Sequence, residues 1–228
     1  MNARIKCVAL ICLLSMASLA AYAIYRGQLR LNFTPSMPVG IYRIIDAAPV
    51  AIQKGEIVAV CPPPAAAELG RRRGYLLHGR CPGDVEMLLK TVAATAGDVV
   101  DVQPNGMSVN GRRLPHSRQL TRDQGCRRMM GWPAGHHSVE RSTIWLYGAN
   151  DRSWDSRYWG QVSLRNVSAI LLPLFVITIH CGTGPVCSAL RAGQPACGAV
   201  RYASPASSPA KALQFVVHSE RFRRTGET

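Results

Sequence analysis

The sequence predicts a mainly β domain carried behind one apolar N-terminal segment, and two observations lead there. Short apolar runs in the middle of the chain are punctuated by Gly97–Asp98, Asn105–Gly106 and Asn110–Gly111. Such dipeptides join short antiparallel strands. Residues 7–25, by contrast, carry no charge at all. With 228 residues, one domain plus an appendage is the natural expectation.

The elements follow in order. "CVALICLLSMASLAAYAIY" spans 19 residues, just enough for a helix to cross the hydrocarbon core. Arg4 and Lys6 precede it and Arg26 and Arg30 follow, so flanking charge alone does not orient it. Ala21–Tyr22–Ala23 also fits a secretory cleavage site, but the length of the run favours an uncleaved anchor. The chain divides into a basic flank (1–6), an anchor or signal segment (7–25), a body (26–177) and a tail (178–228).

In "NFTPSMPVGIYR", residues 32–43, Pro35 and Pro38 fix the backbone and remove N–H donors around Ser36. That excludes helix interior and central strand. A serine there is either a turn-former or a nucleophile whose place is set in advance. "GIYRII" alternates like a strand, and "KGEIVAVCPP" is a strand stopped by Pro62–Pro64. Residues 65–84 read as an insertion or lid outside the core. Val85–Val92 is a near-continuous apolar run with Lys90 inside it, and "VVDV" opens the Asn–Gly meander. Residues 112–142, rich in Arg and Gly, read as a second insertion. "TIWLYGAN" is a strand ending in the loop "DRSWDSRYWGQV", and "VSAILLPLFVI", residues 167–177, is a last strand or helix. From Thr178 onward no period is sustained, and the Gly-, Ala-, Ser- and Pro-rich composition reads as a poorly ordered tail.

The formal net charge is +14, and only four of the 27 basic residues are lysines. Such an Arg-rich surface suits anionic lipid near a membrane. No zinc-finger spacing or aromatic–basic signature points to nucleic acid. Cys7 and Cys12 lie in the apolar segment. Cys61, Cys81, Cys126, Cys181, Cys187 and Cys197 show no zinc-ligand spacing. In an oxidising compartment disulfides among these six are plausible, and Cys61 with Cys81 would enclose the basic insertion between them.

Lys90 has two readings. Either it snorkels from the solvated face of a strand, or it is a buried amine kept neutral by desolvation, which makes it a general base near neutral pH. An arginine could not serve as that base. Beside a serine hydroxyl, a neutral lysine gives a Ser–Lys dyad.

Three segments, "PSMPVGIYR", "LLKTVAATAGDVV" and "GANDRSWDSRYWGQV", follow the apolar segment in that order. Together they resemble the type I signal peptidase family of Ser–Lys serine proteases. "VGIYR" after the Ser–Met–Pro box, and the compact body, are similar to the TraF-type conjugative transfer branch. The third box is one residue shorter before Ser153 than the family pattern, Ala96 stands where a proline is usual and Thr91 where an arginine is.

The resemblance implies a signal-peptidase/LexA-like β domain at residues 26–177. It makes Ser36 the nucleophile and Lys90 the base, with the Ser36 N–H and the Thr34 hydroxyl as oxyanion donors. Ser153 would orient Lys90, and Asp155 with Arg157 would bridge and support the loop. It implies a bacterial inner-membrane enzyme with a periplasmic catalytic domain, acting beside lipid on a membrane-bound pilin precursor or preprotein. Cleavage would end in hydrolysis or cyclisation. No metal or organic cofactor is implied, and nothing sets an oligomeric state.

Three rivals remain on the sequence. A general type I signal peptidase acting on secreted proteins shares every box. A non-catalytic membrane component of the transfer apparatus would keep the fold with an unused dyad. A Ser–His–Asp hydrolase could draw on His78, His116, His136, His137, His180 or His218, but no G-x-S-x-G elbow exists. "GCRRMMGWPAGHH" is a weak metal candidate, and Trp132, Trp145, Trp154 and Trp159 suit packing or a membrane interface.

Overall fold

The computed structural model describes residues 3–26, 28–47, 49 and 51–177. The expected tail at 178–228, with Cys181, Cys187, Cys197, His180 and His218, lies outside the described residues. Helix α1 (Ala3–Tyr25) opens the chain, and Arg4–Tyr22 is long and apolar enough to cross a membrane. Its described side chains are exposed to solvent rather than packed on the body.

The body is built from two antiparallel sheets. The larger runs β1 (Leu29–Asn32), β2 (Val39–Ala47), β12 (Val167–Ile177), β3 (Ile57–Val60), β5 (Leu88–Thr95), β10 (Thr143–Tyr147) and β11 (Val162–Ser163), in that spatial order. The smaller runs β8 (Arg112–Arg113), β7 (Gly106–Val109), β6 (Val99–Gln103) and β9 (Gly135–Ser138). The Asn–Gly and Gly–Asp dipeptides fall at the expected turns. At Gly97, φ is +89°, a backbone that favours glycine. Asp98 then locks this turn, accepting from Lys54 Nζ at 2.8 Å, Thr95 N at 2.9 Å and Asn110 Nδ2 at 2.7 Å. The 167–177 segment is a strand, paired with β2 on one side and β3 on the other. Its register against β2 shifts at Pro173, which has no N–H to offer a ladder.

The central strands are covered on both faces. Val58, Val60, Leu88, Val92 and Ile170 join one buried cluster, whereas Ala59, Leu89, Ala169 and Leu171 join another on the opposite face. Alternation of side chains along a strand produces that split. Full coverage turns what would be an alternating pattern into a continuous apolar run, which is why Val85–Val92 reads as it does.

One expectation fails here. Residues 65–84 are no lid outside the core. They contain α2 (Pro64–Arg73) and β4 (His78–Cys81), and Ala66, Ala67, Leu76 and Cys81 are buried in the main cluster. Pro64 opens α2, and Gly74, at φ +72°, closes it, the usual pairing at helix ends. A Cβ on Gly70 would overlap Leu76, so small residues let this helix lie close. Cys61 and Cys81 form a disulfide that ties the end of β3 to β4. The 112–142 segment is likewise packed: Trp132 lies on Gly160 and donates its backbone N–H to Arg157 O at 2.7 Å.

Candidate active site

The six residues between β1 and β2 carry Ser36. With two prolines and no ladder, their carbonyls need donors from elsewhere. Asn32, the last residue of β1 and buried, supplies them. Its Nδ2 faces the carbonyl oxygens of Thr34 at 2.9 Å, Met37 at 3.0 Å and Pro38 at 3.0 Å. Its Oδ1 accepts from the Thr34 backbone N–H at 3.3 Å and the Thr34 hydroxyl at 2.9 Å. The wholly buried Tyr42 donates its hydroxyl to Pro38 O at 2.6 Å, and burial pushes that phenol up to about 12.

Beyond that cradle, Thr34 Oγ1 lies 3.2 Å from Ser36 Oγ. Met37 is buried beside Leu89 of β5, and its sulfur accepts from the Thr91 hydroxyl at 3.6 Å. The residue after Ser36 therefore touches the residue after Lys90.

Lys90 does not snorkel. It is 2% exposed, paired with Val58 in the middle of the larger sheet, and flanked on its own face by Leu88 and Val92. Its Nζ donates to Ser153 Oγ at 3.1 Å. Burial pulls its ammonium down to about 8, from an ordinary 10.5. The Asp155 carboxylate opposes that shift and the Arg157 guanidinium adds to it. An ordinary lysine would be protonated throughout the neutral range, whereas this one loses its proton close to it.

The loop after β10 brings the remaining residues. Asp155 and Arg157 are both wholly buried and meet in a two-point pair, Nε to Oδ1 at 2.8 Å and Nη2 to Oδ2 at 3.0 Å. Asp155 also accepts from Gly148 N at 2.9 Å and caps the short helix α3 (Ser156–Trp159) through Arg157 N. Arg157 spends its other N–H groups on backbone oxygens of Gly148 at 2.8 Å, His116 at 3.0 Å and Arg118 at 3.3 Å. Such a fork satisfies both charges without water and pins the loop to the 112–142 segment.

The two halves meet at Gly148. A Cβ there would overlap Ser153 Oγ and come within 2.6 Å of the Ser36 carbonyl oxygen. The hydroxyl that holds Lys90 Nζ and the backbone of Ser36 thus approach each other across a bare Cα.

Three separated segments are thus linked: Thr34 with Ser36, Lys90 with Ser153, and Asp155 with Arg157 beneath the Ser153 loop, the Ser36 carbonyl and the Ser153 hydroxyl both lying at Gly148. Histidine is not among them. Ser36 Oγ has Thr34 as its hydrogen-bond partner among the described residues, while His137 packs edge-on to Trp132 and His136 lies 3.5 Å from Asp101. Trp154 sits between Tyr75, Tyr158 and Trp159 as a packing residue. Asn32, Tyr42 and Gly148 were not singled out from the sequence. Asn-x-Thr was a legible signal for the first, because an Asn side chain readily accepts from the N–H two residues on.

Comparison with known proteins shows which family the chain belongs to. The family model described as signal peptidase, peptidase S26, matches residues 1–173. A plasmid transfer protein TraF of Escherichia coli is 32% identical over 160 residues, covering 69% of this chain and 89% of its own length. A probable conjugal transfer protein TraF of Sinorhizobium fredii is 39% identical over 144 residues, covering 61% and 73%. A conjugal transfer protein TraF of Agrobacterium tumefaciens is 36% identical over 167 residues, covering 72% and 90%. A crystal structure of a signal peptidase I from Enterococcus faecalis aligns with 54% of this chain and 97% of its own, at 17% identity and a TM-score of 0.31. With the family model matching residues 1–173 and TraF relatives 32–36% identical over most of their own length, the protein belongs to the signal peptidase family, peptidase S26, in its TraF-type branch.

Proposed function

We propose that this chain is a membrane-anchored serine endopeptidase that processes a pilin precursor for conjugative transfer through a type IV secretion apparatus. Ser36 is the nucleophile and Lys90 the general base. The observation that carries the reading is Lys90: a wholly enclosed amine, drawn toward neutrality and held by Ser153, whose hydroxyl and the Ser36 carbonyl both lie at Gly148. A structural lysine gains nothing from that enclosure, whereas a base needs it.

The chemistry balances on these groups. Neutral Lys90 takes the Ser36 proton as Oγ attacks the carbonyl carbon of the scissile bond. The Ser36 N–H and the Thr34 hydroxyl then stabilise the oxyanion. As the C–N bond breaks, Lys90 returns the proton to the departing amine, leaving an acyl ester on Ser36. Water, or the amino terminus of the product itself, opens the ester. The first route gives a cut chain and the second a cyclic one.

Several features support action at a membrane surface. Ten residues separate Tyr25 from Ser36, and Phe33 is 77% exposed on the nucleophile loop. Leu31, Leu174 and Phe175 are also exposed on the strands beside it. The Cys61–Cys81 disulfide suits an oxidising, periplasmic location for residues 26–177, with 7–25 as the anchor. The names of the relatives favour a conjugation substrate over general secreted proteins.

Mass spectrometry of a candidate pilin precursor, incubated with the membrane-embedded protein and with its Ser36→Ala variant, tests this reading. The expected result is a cleaved or cyclised product that is lost with Ser36→Ala. Equal processing by that variant would overturn the enzyme reading. Processing of secreted preproteins in preference to pilin would move the assignment to a general signal peptidase.

A further inference from the structure

Resting on that reading, we propose that Asn32 is a positioning residue of the acyl-transfer site: it sets the hydroxyl orientations of Thr34 and Ser36 while holding the loop that carries them.

The orientation of the Asn32 amide is fixed by its surroundings. Three carbonyl oxygens face its nitrogen, and an N–H and an O–H face its oxygen. Turning the amide over would set donors against donors and oxygen against three carbonyls. Oδ1 is therefore an acceptor only, and the single hydrogen of the Thr34 hydroxyl goes to it at 2.9 Å. Thr34 Oγ1 is left with lone pairs, so across the 3.2 Å contact Ser36 must be the donor. In the resting protein the Ser36 proton thus points at Thr34, and Lys90 gives its own hydrogen bond to Ser153.

Catalysis needs both bonds to change hands. Ser36 must turn its O–H to Lys90, and Thr34 must turn its O–H from Asn32 to the oxyanion. A substrate carbonyl at Ser36 offers Thr34 the more basic acceptor as negative charge develops there. Asn32 then holds the loop through Nδ2 and the Thr34 backbone N–H, and Oδ1 accepts the Thr34 hydroxyl's hydrogen bond again once the acyl group leaves. No covalent step is added: the Thr34 hydrogen stays on Thr34 Oγ1 throughout, and the Ser36 proton follows the Lys90 route already given. Asn32 thus acts through Thr34 and never touches the substrate.

The test measures precursor cleavage by the full membrane-embedded chain carrying Asn32→Ala, Thr34→Val or both, with Ser36→Ala alongside. Asn32→Ala is expected to lower kcat at least tenfold with KM within twofold. The double variant should be no slower than the slower single one, because both changes break one relay. A kcat unchanged in Asn32→Ala, or losses that multiply in the double variant, would overturn the proposal. Failure of Ser36→Ala to abolish cleavage would instead defeat the nucleophile reading, so the two failures are distinguishable. Should Asn32→Ala not fold, Asn32→Asp decides. Its neutral acid keeps one donor and one acceptor, but its anion faces three carbonyls. A descending alkaline limb absent from the native pH profile is expected, and a native profile would overturn the proposal.

Discussion

The loop that carries Ser36 is held by neutral groups, chiefly the Asn32 amide with the Tyr42 hydroxyl, whereas the loop that carries Ser153 is held by an ion pair with no solvent exposure. The difference follows from what each must do. A neutral amide exchanges hydrogen-bond partners at small cost, about 1 kcal/mol per bond, so in the proposed mechanism the Ser36 wall can change its proton arrangement during a turnover. A buried Asp–Arg pair breaks only at several kcal/mol, so the wall that carries Ser153, the proposed partner of the base, stays put. The same pair also holds the Lys90 ammonium in balance, with Asp155 favouring the charge and Arg157 opposing it.

The largest effect should come from the residue between the walls. Lys90→Arg keeps the charge and loses the titratable base, and it should cost about 10⁴-fold or more in kcat, as loss of a member of a catalytic unit does. A folded, active Lys90→Arg protein would remove the distinction between base and structural cation. Next, Arg157→Met leaves Asp155 buried without its partner and should destabilise the body by about 3–5 kcal/mol, read as the denaturant midpoint. A loss below 1 kcal/mol would mean that the loop is not held as described. On the softer wall, Thr34→Val should raise the barrier by about 2.7–4 kcal/mol with stability nearly unchanged.

The pH dependence sharpens the contrast further. Cleavage should rise with pH through a midpoint near 8, as Lys90 loses its proton. The same group affects stability. Its pKa in the fold lies below the unfolded 10.5, so a cost of about 3 kcal/mol is present below pH 8 and fades as pH rises toward 10.5. Asp98 behaves oppositely. Burial raises its pKa, but the bonds from Lys54, Thr95 and Asn110 outweigh that and bring it down to about 2. Its contribution is present above pH 3.8 and is lost as pH falls through 2. Asp98→Asn should therefore give the smallest change of the set: a lower melting temperature near neutral pH that converges on the native value as pH falls toward 2, with cleavage unaffected.

Much of this site was legible because each box is local. Pro35 and Pro38 announce a fixed loop, and a lysine inside an apolar run announces enclosure once the run proves to be a strand covered on both faces. Asp155 and Arg157 lie two apart and pair through a single turn. The α2 segment was misread because Ala66, Ala67 and Gly70 fit close beneath the sheet without the bulk that marks a buried face. The proline and glycine at its ends were the signal to follow. Asn32 was missed because its partners are mostly carbonyls of the loop that follows, and carbonyls leave no trace in side-chain patterns.

At Gly148 the absence of one methyl lets the Ser153 hydroxyl and the Ser36 carbonyl come close, the spacing on which the proposed turnover depends. Restoring it with Gly148→Ala should wedge the serine away from the amine while sparing the anchor and the exposed rim. The product would be a snare, able to grip its client and unable to release it as two pieces.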